Sequence, residues 1–276
     1  MMKRKRSARM VDMTRRLLEN PHRLFSLTEF VGEYGAAKSS ISEDLSIIKE
    51  VLEEEGAGLL QSRAGAAGGV LYIPYMPVAE ARKKINALLE KLQDPGRILP
   101  GGYLYISDLL GNPRLIHELG KMIASYYRNE PIDVVMTVET KGIPLAYACA
   151  HHLNVPVVIV RRDSQITEGS LVTLNYVSGS TKRIQTMSLS RRMLPEKSRV
   201  LIVDDFMRAG GTVRGMKELL QEFKAELVGV SIFVEGMAEG EKVVDRYLSL
   251  IRLVRIDDKT KKIEVELGNY FQTKEW

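Results

Sequence analysis

The segment Val200-Leu201-Ile202-Val203-Asp204-Asp205-Phe206-Met207-Arg208-Ala209-Gly210-Gly211-Thr212 constrains this 276-residue chain more than any other. Its four leading apolar residues predict a buried strand. Asp204 and Asp205 sit at the strand end, a loop with Gly210 and Gly211 follows, and a helix begins near Thr212. A glycine turn feeding a helix N-terminus aims backbone N–H groups at one point, which suits a phosphate. Adjacent carboxylates accept hydrogen bonds from sugar hydroxyls. A ribose phosphate satisfies both halves. The bland alternative is a strand–turn–helix whose acids only cap the helix.

The surroundings extend this reading. From about residue 100, apolar runs alternate with helical patterns: a helix opened by Asn112-Pro113, a strand over 132–138, a helix over 143–153, then strands at 155–160, 200–203 and 227–234. Apolar strands separated by helices predict an α/β domain with a parallel sheet covered on both faces. Ligands sit beyond the carboxyl ends of such strands. Glu139-Thr140-Lys141-Gly142, Arg161-Arg162 and Asp204-Asp205 all fall at predicted strand ends. Lys141 beside a glycine turn, and Arg161, suit pyrophosphate. The runs 171–177 and 184–190 read as two strands of a flap with Ser178-Gly179-Ser180 at its tip.

Residues 1–74 read as a separate small domain, and 75–276 as a connecting helix plus the α/β domain. Val11, Thr14, Leu17 and Leu18 have helical spacing. Ser26-Leu27-Thr28-Glu29 is a capping-box pattern, and Ser40-Ile41-Ser42-Glu43 a second, opening a helix with Ile41, Leu45, Ile48 and Leu52 on one face. Leu59–Arg63 and Val70–Ile73 flank a glycine-rich tip, a β-hairpin pattern. Three helices then a hairpin is the order of a winged helix-turn-helix, whose third helix enters the major groove. The residues assigned to DNA contact are Lys38, Ser39, Ser40 and Ser42 on that helix, Arg63 and Gly65 on the wing, and the basic N-terminus: Lys3, Arg4, Lys5, Arg6, Arg9 and Arg15. Residues 1–23 hold eight basic residues against two acids, and such clusters attract polyanions. A helical interaction domain that touches no nucleic acid is the alternative.

Residues 200–212 resemble the phosphoribosyl pyrophosphate (PRPP) motif of type I phosphoribosyltransferases, and Glu139–Gly142 falls where that family's pyrophosphate loop lies. The resemblance implies that Asp204 and Asp205 hold the ribose hydroxyls, that Ala209, Gly210, Gly211 and Thr212 cradle the 5′-phosphate, and that Mg²⁺ arrives with PRPP. With the N-terminal domain in view, the chain resembles over residues 1 to about 270 the bacterial purine operon repressors of phosphoribosyltransferase fold. That implies a homodimer that binds purine-gene control DNA, PRPP as inducer, and a guanosine tetraphosphate-type nucleotide competing at the same site. Tyr103, with Phe206 and Arg208, completes the effector set; Tyr103 would stack on a base or pack in the core. No catalytic residue is assigned. The competing reading is a purine phosphoribosyltransferase enzyme. Against it stand 70 residues of winged helix and Ala209, where transferases commonly carry a threonine.

Composition narrows the class further. The single cysteine, Cys149, lies in an apolar run, so a disulfide framework is excluded and an inert buried thiol is expected. No stretch is apolar enough to span a membrane, and the basic N-terminus lacks the apolar core of a secretory signal. A cytoplasmic protein without a membrane partner is the expectation. His22, His117, His151 and His152, scattered or on helices, read as structural or surface residues, and no protein-only metal site is expected.

Overall fold

Helical periodicity and strand-length apolar runs resolve in the computed structural model into three apolar cores. It describes residues 4–65, 68–162, 169–177, 184–238 and 242–272. The first core belongs to α1 (Arg6–Glu19), α2 (Leu27–Tyr34), α3 (Lys38–Glu54) and the hairpin β2 (Gly58–Arg63) with β3 (Gly69–Pro74). This is the winged-helix arrangement. A short strand, β1 (Phe25–Ser26), pairs antiparallel with β3 and was not foreseen. Gly69 permits that pairing, since a Cβ there would lie within bonding range of Phe25 backbone.

The local signals of this unit hold in part. Ser26 Oγ accepts from the Glu29 N–H at 3.1 Å, and Gly35 ends α2 in the left-handed conformation. The second capping box does not form. α3 starts earlier, at Lys38, from Ala37 in extended conformation with no side-chain cap; Ser39 and Ser40 therefore lie in its first turn. Ile41, Leu45, Ile48 and Leu52 are buried as expected. α1 faces the core with Arg9, Met13 and Leu17, a strict spacing of four, whereas Val11 is 70 % exposed.

α4 (Val78–Leu92) follows the hairpin. It packs on the C-terminal strands, and Arg82 donates to the Phe271 carbonyl at 3.1 Å. It is therefore part of the second core. A small hairpin, β4 (Ile98–Leu99) with β5 (Tyr103–Leu104), leads through α5 (Ser107–Leu110) to α6 (Pro113–Tyr126), whose N-cap Asn112 accepts from the Leu115 N–H. The central sheet combines β6 (Val134–Val138), β7 (Val157–Val160), β10 (Arg199–Met207), β11 (Glu226–Glu235), β12 (Leu248–Asp257) and β13 (Lys262–Leu267) in the order β13-β12-β11-β10-β6-β7. All neighbours are parallel except β12 and β13. α7 (Ile143–Leu153) joins α4 and α6 on one face. The other face is covered by α8 (Gly211–Glu222) and the flap hairpin β8 (Leu171–Val177) with β9 (Ile184–Ser190). Gly215 lets the flap approach α8: a Cβ there would lie 2.8 Å from Met187 and 3.0 Å from the Tyr176 ring. The anticipated flap tip, Ser178–Ser180, lies outside the described residues.

Three of the four histidines lie together on α6 and α7. His117 and His152 lie tilted with ring centroids 4.4 Å apart, and His151 and His152 are 5.5 Å apart. They sit where α6 and α7 meet the winged helix. Beside them Lys121 donates to the Gly56 and Ala57 carbonyls at 3.1 and 2.7 Å, and Ser125 accepts from the Met76 N–H. Burial, then the neighbouring His117, pushes His152 down to about 3, from an ordinary 6.5. The unfolded chain thus takes up this proton first as pH falls. Stability from neutral His152 is fully present above about pH 6.5 and is lost progressively towards pH 3, reaching roughly 2 kcal/mol at pH 5. Thermal unfolding at pH 7 and pH 5 should show that loss, and His152→Gln should flatten it. An equal pH dependence in the variant would remove His152 from the account.

Candidate functional sites

The loops after β6, β7 and β10 converge on one cleft of about 520 Å³ at the carboxyl edge of the sheet. β10 runs on through the acid pair to Met207, so Asp204 and Asp205 lie within the strand and not at its end. Alternation then separates them: Asp204 is buried, Asp205 half-buried, and both line the cleft. Asp204 Oδ1 accepts the Asp205 N–H at 3.0 Å. Burial, then the adjacent Asp205 charge, pushes the Asp204 carboxyl well above the ordinary carboxylate range. Burial also raises Asp205, while Lys141 and Arg162 oppose that rise. The pair is costly to charge in isolation, and groups that donate hydrogen bonds to it are favoured.

Opposite the acids, Arg208, Ala209, Gly210 and Gly211 form the turn into α8. Gly210 has φ +87°, and a Cβ there would lie 2.8 Å from Val244. α8 has no side-chain cap and no acid in its first turn. Its first N–H groups, with the Thr212 hydroxyl, thus present donors to the cleft. Tyr103 is 48 % exposed, which excludes the core alternative, and the Arg208 guanidinium lies 5.3 Å from its ring centroid. Phe206 lines the same wall and covers Gly236.

The loop after β6 supplies Glu139, Thr140 and Lys141 to the cleft, with a cis peptide between the first two. Gly142 is behind it: a Cβ there would lie 2.6 Å from Asp204 Oδ1 and 2.5 Å from Thr137 Oγ1. Its role is close approach of the loop backbone to Asp204, not ligand contact. Arg161 is corrected. Its backbone pairs with Ser188 of the flap, its guanidinium lies 3.4 Å from Glu139 Oε2, and it does not line the cleft. Arg162 does. Neighbours along an extended chain point to opposite sides, so one of this arginine pair had to face away. Glu139 also accepts the Arg162 N–H. It braces the cation rather than meeting an anion itself.

A second groove lies between α3 and the wing. Lys38, Ser42, Arg63 and Gly65 line it, joined by Ser46 of the same polar face and by Thr28 and Lys49, which sequence reasoning missed. Lys49 continues the helical face of Lys38, Ser42 and Ser46, so one further turn of the same pattern would have found it. Ser39 and Ser40 do not line it. Arg9 is corrected outright: it is 6 % exposed and its Nε donates to Asp44 Oδ2 at 2.6 Å. Arg4 pairs with Asp12, Arg6 with Asp44 and Glu43, and Arg15 with Asp12 and Glu19. Lys5 is exposed just before α1, and Lys3 lies outside the described residues. Arg63→Ala should weaken DNA binding and lower the slope of log affinity against log salt by about 1, as for one phosphate contact. An unchanged slope would remove the wing from the interface.

Cys149 is buried and its thiol is pushed up by burial, an inert environment. Among the described residues no helix is long and apolar enough to cross a membrane, and no group of three His, Cys, Asp or Glu could hold a metal ion.

A DNA-binding winged helix joined to an α/β domain of phosphoribosyltransferase fold defines a transcription regulator as the class. A family model described as bacterial purine repressor, N-terminal, matches residues 5–74, and one described as phosphoribosyl transferase domain matches residues 106–268. The chain is 54% identical over 271 residues to the purine biosynthesis transcriptional repressor PurR of Bacillus subtilis (strain 168), spanning 98% of this chain and 95% of that protein. It is 46% identical over 270 residues to the purine biosynthesis transcriptional activator PurR of Lactococcus lactis subsp. lactis (strain IL1403), spanning 98% and 100%. The adenine phosphoribosyltransferase of Thermoanaerobacter pseudethanolicus superposes with a TM-score of 0.52 at 19% identity, over 60% of this chain and 98% of that one, a likeness of fold alone. The chain belongs to the bacterial purine repressor family.

Proposed function

We propose that this protein regulates transcription of purine biosynthesis genes, and that its α/β domain senses PRPP as the inducer that releases DNA. One observation carries the reading: the acid pair, Lys141, Arg162 and the uncapped start of α8 line a single cleft in a chain that also bears a winged helix. Asp204 and Asp205 would accept from the ribose hydroxyls, residues 209–212 would donate to the 5′-phosphate, and Lys141 with Arg162 would face pyrophosphate. Mg²⁺ binds largely through phosphate oxygens with few protein ligands. That fits a cleft offering two neighbouring carboxylates, and the ion would supply charge neutralisation to the bound pyrophosphate. The Arg208–Tyr103 pair supports a guanosine tetraphosphate-type competitor, since a base could lie against the ring. The family's regulators favour this reading over a transferase, as does Ala209 in place of a phosphate-binding hydroxyl. DNA binding as a homodimer is part of the same proposal.

The direct test is fluorescence anisotropy of the protein on labelled purine-operon control DNA, without and with Mg²⁺–PRPP. Tight binding released by PRPP is the expected result. Binding indifferent to PRPP would overturn the inducer role. No binding at moderate salt, with PRPP consumed in the presence of a purine base, would replace the regulator with the enzyme.

A further inference from the structure

The turn that leads into α8 is held from outside the cleft by its own backbone carbonyls. The Gly236 N–H donates to the Met207 carbonyl at 2.7 Å, and the Val243 N–H donates to the Ala209 carbonyl at 2.9 Å. Val244 packs where a Cβ on Gly210 would stand. Gly236, Val243 and Val244 do not line the cleft, whereas residues 207–212 do. Both anchored peptides are trans, and a planar trans peptide points its C=O and N–H in opposite directions. A carbonyl held from behind therefore turns the next N–H forward, here those of Arg208 and Gly210. Lys242 sets the place of Val243. Its Nζ lies 3.2 Å from Glu235 Oε2 and donates to the Tyr247 hydroxyl at 2.7 Å. Glu235 is the last residue of β11, is 6 % exposed, and pairs in register with Met207. A charge that deep needs a partner. Arg252 also approaches it, at 3.5 Å, but is more exposed and is shared with Glu266. A buried ion pair adds little net stability, yet it demands close geometry. It fixes where residue 242 lies and, through it, where Val243 and Val244 lie.

We propose that Lys242, seated on Glu235, is a positioning residue for the 5′-phosphate: it holds Val243 and Val244 behind the turn, so that the Arg208 and Gly210 N–H groups stay aimed into the cleft. The inference rests on the PRPP reading and adds the residues that preset its phosphate donors. Donors fixed in advance cost no ordering when the ligand arrives. Neither Glu235 nor Lys242 lines the cleft, so neither touches the ligand. Lys141 and Arg162, assigned to the pyrophosphate end, stand on the loops after β6 and β7 and have no part in this brace.

Variants of the full-length protein test the brace. Lys242→Met keeps the stem and removes the ammonium, and Lys242→Arg restores a cation. The readouts are Mg²⁺–PRPP affinity by calorimetry, DNA affinity by anisotropy without PRPP, and a cooperative melt to establish folding. Lys242→Met is expected to weaken Mg²⁺–PRPP binding about tenfold, the worth of one hydrogen bond to a charged group, and to leave DNA affinity at the parental value. Lys242→Arg should recover most of that loss. Two double variants separate positioning from general damage. With Thr212→Val, which removes a hydroxyl from the same turn, the losses should be less than additive; with Lys141→Met, at the pyrophosphate end, they should add. The same behaviour in both doubles, or parental PRPP affinity in a folded Lys242→Met, would overturn the brace and leave the PRPP reading standing. A parent that does not bind Mg²⁺–PRPP would fell that reading, and the brace with it. Should Lys242→Met not fold, Glu235→Gln, which keeps the shape and loosens the pair, decides by the same readouts.

Discussion

Replacing Arg9 with alanine should lower the melting temperature of the winged helix and leave its DNA contacts alone. The carboxylate of Asp44 is fully buried and its main partner is Arg9, itself 6 % exposed, at 2.6 Å. Removing one member of a buried pair strands the other charge, at a typical cost of about 3–5 kcal/mol. Arg6, which also reaches Asp44 at 2.8 Å, places the expected value at the lower end. A small domain has only about 5–15 kcal/mol in total, so calorimetry should show a large drop in Tm. DNA affinity measured well below the transition should keep the parental salt slope. An unchanged Tm with weakened DNA binding would return Arg9 to the interface.

Asp204→Asn combined with Asp205→Asn should abolish the response to PRPP while preserving DNA affinity within about twofold. The amides keep size and shape beside Gly142, where a Cβ would already crowd Asp204. They lose the charge that makes each carboxylate a strong acceptor, at about 1.5 kcal/mol or more per hydrogen bond. A loss of about 3 kcal/mol is roughly 100-fold in Mg²⁺–PRPP affinity, readable by calorimetry. The neutral pair also no longer pays the cost of burying two charges, so the folded protein should be no less stable. Parental PRPP affinity in the double variant would remove the acids from the site, and loss of DNA binding would show that they serve the fold.

The sequence was most legible where local chemistry and tertiary role coincide. α7 and both flap strands fall on their expected bounds because short apolar runs there end at residues that break the pattern, such as Asn154 in the left-handed conformation. The Asp204–Thr212 turn was legible because strand, acids and glycines each demand a specific backbone. β12 and β13 were not. β12 is buried over 248–251 and at Leu253, and Arg252 and Arg255 break its apolar run; its antiparallel partner is set by tertiary pairing. Arg9 misled because a buried ion pair and a solvated charge look alike in sequence. The arginine pair after β7 misled for a different reason: which of the two faces the cleft is decided by the bridge to Ser188, some 27 positions away.

The seating of α4 on β12, β13 and Phe271 has a consequence for synthesis. Arg82 and Phe271 are 189 positions apart, so the core they share closes only when nearly all of the α/β domain has been made. The winged helix completes its own core by residue 72, about ten seconds or more earlier at ordinary elongation rates. A nascent chain thus displays a finished winged helix on the ribosome before its α/β domain is whole. Until its last strands arrive, it is a DNA-binding module without a closed α/β core.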